Sequence, residues 1–153
     1  MRWHALAATA VAGVLLCACS SESPATATAN WTSSSSFAQG ATDLLYDFSK
    51  VHQSIDQHAS TATVRTYCAE LFADANGENT DLLPTPDAQL TTLLSNAVDG
   101  FIHAAYRCTR SPADRADRQA VLDECRLAVG SLVTAVLRDE AVIGRPLGVK
   151  GIS

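Results

Sequence analysis

Residues 88–108, "AQLTTLLSNAVDGFIHAAYRC", place apolar side chains at Leu90, Leu94, Ala97, Val98, Phe101, Ala105 and Cys108. These positions recur every three or four residues, the repeat of one helix face and not the alternation of a strand. Just ahead, Thr85-Pro86-Asp87 supplies a hydroxyl cap, a proline suited to the first helical position and an acid for the first turn. The stretch therefore predicts an amphipathic helix, and the same period extends to both sides of it.

Upstream, Leu44, Leu45, Phe48, Val51 and Ile55 mark a helix from about Ala41 to His58. Val64, Cys68, Leu71, Phe72 and Ala75 would lie on nearly the opposite face if that helix simply continued. A break is therefore expected near Ser60-Thr61, both good caps, and a stop at Asn76-Gly77, before the loop "ENTDLLPTP". Downstream, Ser111-Pro112-Ala113-Asp114 repeats the start pattern for a fourth helix to about Ala141, with core positions Val121, Leu122, Cys125, Val129, Leu132 and Val136. Within it "LAVGSLVTAVL" is apolar on nearly all sides yet too short to span a membrane, so it is expected at the centre, with Gly130 allowing a neighbour close. The tail "GRPLGVKGIS" reads as irregular. Beyond Phe37 nothing alternates like a strand. The expected fold is all-α, a small four-helix bundle in one domain, residues 37–153.

The N-terminus carries a different signal. Met1-Arg2-Trp3-His4 is cationic, Ala5–Leu16 is apolar and short, and the run ends Leu16-Cys17-Ala18-Cys19. This resembles the signal peptide and lipobox of bacterial lipoproteins. The resemblance implies cleavage before Cys19, a thioether-linked diacylglycerol on that residue, and loss of Cys17 with the leader, since bulky Leu16 would otherwise precede the cut. Acyl chains contribute about 0.8 kcal/mol per buried CH₂, so two or three imply a firm hold on the extracytoplasmic face of the cell membrane. In style the chain resembles small lipoproteins of actinobacteria; residues 37–153 resemble no named domain family. Residues 19–36, rich in Ser, Thr and Ala, read as a flexible linker without the apolar area to offset chain entropy, and resemble an O-glycosylated stalk. Asn30-Trp31-Thr32 fits the N-glycosylation triplet, which in a bacterial chain is chance.

The full chain holds eleven Lys+Arg against sixteen Asp+Glu, and removal of residues 1–18 takes only Arg2, leaving a formal charge of −6. That excess argues against nucleic acid and against an electrostatic grip on anionic lipid. Cys68, Cys108 and Cys125 then remain, one per helix, and an odd number in an oxidising compartment suggests one bond and one buried thiol. With the three helices antiparallel in order, a rise of 1.5 Å per residue is taken to put Cys68 roughly 10 Å, Cys125 roughly 17 Å and Cys108 roughly 33 Å below the top. Cys68–Cys125 is the pair this favours, with Cys108–Cys125, or no bond, as alternatives. No C-x-x-C or paired-histidine spacing suggests a metal, and no cofactor motif is present.

For chemistry the candidates are few. His52 and Asp56 share a helix face, as most solvated pairs do, and His58 sits where a helix should end. Asp99, His103 and Tyr106, with Arg107 and Arg110 nearby, form the most site-like polar face. No nucleophile elbow, phosphate loop or H-E-x-x-H is present. The expectation is a lipid-anchored binding module with an unknown protein or cell-envelope partner and no enzymatic role. A carrier would instead show a cavity bordered by Leu45, Phe48 and Leu132, and an enzyme would show Asp99, His103 and Tyr106 converging in one cleft.

Overall fold

The structure, a computed structural model, describes residues 22–110 and 115–152. Among the described residues there are five helices and no strand: α1 Pro24–Ser34, α2 Phe37–Asp56, α3 Thr61–Asp81, α4 Ala88–Arg110 and α5 Arg115–Ile143. Cys17, Cys19 and the start signal at Ser111–Asp114 lie outside the described residues.

α2 to α5 form an antiparallel series, as the cross-links between successive helices show. Lys50, in the second half of α2, meets Glu70 of α3, Cys68 meets Cys108 across α3 and α4, and Arg107 meets Glu124 across α4 and α5. The apolar stripe of α4 is buried at every expected position, Leu90 through Cys108, and with Phe37, Leu44, Val51, Leu71 and Leu132 it fills the core. α4 and α5 meet closely at Gly100, which leaves no room for a side chain: a Cβ there would stand 2.9 Å from that of Ala128. Gly130, expected to play this part, is exposed with nothing near it.

The count of four helices is corrected by α1, which occupies the stretch read as a flexible linker. Ser23 caps it, accepting from the Thr26 amide at 3.2 Å, and Pro24 takes the first helical position. Thr28 and Thr32, one turn apart, are buried against α5, where the Thr32 hydroxyl reaches both oxygens of Asp139 at 2.9 and 3.0 Å. Trp31 packs on Phe37, with ring centroids 5.4 Å apart. Such a segment cannot build a core of its own, but its small side chains let it lie close on a core built by others.

The break at Ser60 occurs as expected. Ser60 accepts from the Thr63 amide at 3.1 Å, and α2 closes with His58 in the left-handed region at φ 55°, its ring Nδ1 2.9 Å from the Asp56 carbonyl. The amides of His58 and Ala59 bond Ile55 and Ser54 carbonyls at 3.1 and 2.9 Å, the double closure of a Schellman end. The stop at Asn76-Gly77 is not used: α3 runs on to Asp81, because Glu78 packs onto Gly40 of α2 and the continuation delivers buried Leu82 to the core. α4 is capped by Asp87, not Thr85; its Oδ1 accepts from the Gln89 and Leu90 amides at 2.8 and 2.9 Å while Arg138 of α5 holds the same carboxylate at 2.6 Å.

The disulfide is Cys68–Cys108, with Cα atoms 5.9 Å apart, and Cys125 is a buried free thiol. The expected Cys68–Cys125 pair is therefore corrected. α4 runs antiparallel to α3, so the roughly 33 Å of rise that carries Cys108 along its own helix returns it to the level of Cys68 instead of taking it away.

Candidate functional site: an acidic seam between two helices

The polar face nominated by the sequence does not converge. Asp99 and His103 of α4 line a shallow depression of about 240 Å³ with Glu124, Leu127 and Ser131 of α5. Tyr106 is excluded from it, lying further along α4 with its ring 6.4 Å from that of Phe72 and the Arg110 guanidinium 5.0 Å above it. His52 and Asp56 approach to 3.5 Å on an exposed flank. Among the described residues no group of three or more His, Cys, Asp and Glu side chains is arranged to hold a metal ion.

A denser group of titratable side chains lies where α2 meets α3. Asp43 and Asp47 stand one turn apart on α2, and Glu70, Asp74 and Glu78 follow at the same interval on antiparallel α3. Two acid ladders thus share one seam. A single lysine answers them: Lys50 Nζ reaches Asp47 Oδ1 at 2.5 Å and Glu70 Oε2 at 2.6 Å, and stands 5.0 and 5.7 Å from the Tyr46 and Tyr67 ring centroids. Partial burial works to lower the Lys50 pKa, but the hydrogen bonds to Asp47 and Glu70 outweigh it and hold the ammonium above its ordinary value.

Lys50 alone does not balance the carboxyls of the seam. Asp47 is 3% exposed, and its Oδ2 has no donor. The Asp74 carboxyl interacts with that of Asp47, an approach that two carboxylates relieve only by sharing a proton. That interaction, then burial and the charges of Asp47 and Asp43, push Asp74 up to about 6. One turn on, the Glu78 carboxyl lies against the bare Cα of Gly40, where a Cβ would overlap it, and its Oε2 is buried without a partner. Burial, followed by the charges of Asp81, Asp43 and Asp74, pushes Glu78 up to about 7. Chemically the seam can bind and release protons near neutral pH.

Asp43 belongs also to a groove of about 630 Å³ between α2 and the C-terminal tail, lined too by Leu45, Tyr46, Leu147 and Lys150. The tail is irregular as expected, held by the Leu147 amide on Glu140 Oε1 at 2.8 Å. The ladders were legible in principle as acids spaced by four on two neighbouring helices, but reading for apolar stripes and histidines passes over them.

No family model matches the chain, and no curated protein or solved structure matches it either.

Proposed function

We propose that the chain is a lipoprotein anchored through Cys19 on the extracytoplasmic face of the cell membrane, and that its helical domain is a binding module. The anchor rests on the Leu16-Cys17-Ala18-Cys19 resemblance, and no described helix is long and apolar enough to cross a membrane. The observation that carries the binding role is the outer face of α5. Leu127, Gly130, Thr134, Leu137 and Ala141 are exposed, share one face by their spacing of three and four, and include no charge; Leu127 and Leu137 are 75% and 54% exposed.

Other roles have less support. A carrier needs a chamber, whereas Leu132 is packed in the core and Leu45 lines an outer groove, so the side chains expected to border a cavity do not enclose one. An enzyme built on Asp99, His103 and Tyr106 lacks their convergence.

The reading is tested on the protein in its native envelope. Membrane fractionation of wild type and Cys19→Ala should move the variant to the soluble fraction, and the intact mass should equal residues 19–153 plus acyl groups; a variant still retained would remove the anchor from the reading. A photo-crosslinking residue at Leu127 or Leu137 should give a discrete adduct that the same probe at exposed Thr66 does not. Equal labelling at all three positions would count against a binding face.

A further inference from the structure

Between α2 and α3 the structure holds more acids than cations and two buried acceptors that lack donors. Asp47 is almost wholly buried with Oδ2 unpartnered, and Glu78 sits in the gap left by Gly40 with Oε2 unpartnered. Unpaired buried acceptors are costly, and a proton on the carboxyl turns such an acceptor into a neutral group or a donor. We propose that this seam is a proton-operated catch, in which protonated Asp74 and Glu78 hold the C-terminal half of α3 against α2 and their ionisation above neutral pH releases it.

The groups that face the catch are few. From α2 come Asp43, Asp47 and Lys50; from α3 come Glu70, Asp74, Glu78 and Asp81. Every charge that acts on Asp74 and Glu78 belongs to these two helices, and α4, the other neighbour of α3, adds none. From the tail, Lys150 lines the same groove as Asp43. Lys50 neutralises the end of the seam near Glu70, so the unbalanced end is the one holding Glu78 and Asp81. The release therefore has a direction along α3, beginning at its C-terminus.

The sign follows from linkage. Both carboxyls have folded-state pKa values raised above the ordinary range, Asp74 to about 6 and Glu78 to about 7. Their favourable contribution is complete below the ordinary carboxylate values and is lost as pH rises through about 6 and then about 7. A domain that works outside the cell would thereby read the acidity of its surroundings through α3.

Amide hydrogen exchange on the purified protein at pH 5.5 and 8, corrected for intrinsic rates, tests this. Protection of residues 74–82 should fall by at least about tenfold between the two, while residues 90–105 change in step with global stability only. Asp74→Asn with Glu78→Gln fixes the neutral forms and should abolish the pH difference in 74–82. Glu78→Gln alone should remove the part above pH 6.5. A wild-type protein with equal protection at both values, or a double variant that keeps the full difference, overturns the proposal. A carbon-detected titration of Glu78 that shows an ordinary carboxylate midpoint would do the same.

Discussion

Replacing Thr32 by Val tests whether the N-terminal segment is part of the fold. The side chains have nearly the same shape, so the substitution removes a hydroxyl and adds a methyl without a cavity. In the structure that hydroxyl lies within 3.0 Å of both oxygens of Asp139, which is 0% exposed, and 2.8 Å from the Thr28 carbonyl. The Thr32 hydroxyl is the donor these acceptors share, and burial, only partly opposed by the Thr32 hydrogen bond and the Arg145 charge, pushes the Asp139 pKa up. Leaving a buried carboxyl without its partner costs about 1–3 kcal/mol. At about 4 °C per kcal/mol for a chain of this size, thermal unfolding followed by circular dichroism should move down by roughly 8 °C. The deficit should grow as pH rises, because an ionised Asp139 needs its donor most and its raised pKa places ionisation above the ordinary carboxylate range. Ser33→Ala on the exposed side of α1 is the control and should change stability by less than about 0.5 kcal/mol. If Thr32→Val behaves like the control, α1 is not docked on α5 and the count of helices returns to four.

Four further expectations concern the rest of the bundle. Peptide mapping without reductant should recover Cys68 linked to Cys108, with Cys125 alkylated only after unfolding, since burial pushes its thiol up to about 12; a Cys68–Cys125 peptide would refute the pairing. Replacing both bonded cysteines by Ser should lower stability by on the order of 4 kcal/mol in denaturant titrations, the loop-closure value for a separation of 40 residues. Asp87→Ala removes a cap and the Arg138 pair at once, costing about 1–2 kcal/mol at neutral pH. The Arg138 guanidinium holds this carboxyl below its ordinary range, so its contribution is present above that range and is lost as pH falls through the lowered value; unfolding curves of variant and wild type should converge in strong acid. Gly100→Ala should destabilise by about 1–3 kcal/mol through contact with Ala128, whereas Gly130→Ala, in open space, should stabilise by about 0.5–1 kcal/mol. Equal effects at the two glycines would mean that α4 and α5 do not meet at Gly100.

What could be read from the sequence depended on whether burial leaves a period. Leu90 to Cys108 on α4 and Leu44 and Val51 on α2 were legible because each buries an apolar side chain every turn against neighbours on one side. α1 was not, because it docks through Thr28 and Thr32, whose hydroxyls look like linker composition until Asp139 is placed opposite them. The stop at Gly77 was overridden by contacts distant in sequence, Glu78 on Gly40 and Leu82 in the core. The disulfide was not legible from rise along each helix alone, because α4 returns along α3 and brings Cys108 back to the level of Cys68. The acid seam fell between these habits: each ladder is an ordinary polar face on its own helix, and only the pairing of α2 with α3 turns two such faces inward on each other.

The early start of α1 sets a working distance. Only residues 20–23 separate Cys19 from Pro24, and a chain that short reaches at most about 17 Å when fully extended. For a protein acylated at Cys19, the folded body is then moored at the lipid headgroups and not flown from a long line. Partners able to meet it would be those already at the bilayer surface, and the proton concentration it senses would be that of the surface layer, which next to anionic lipid is higher than in the bulk.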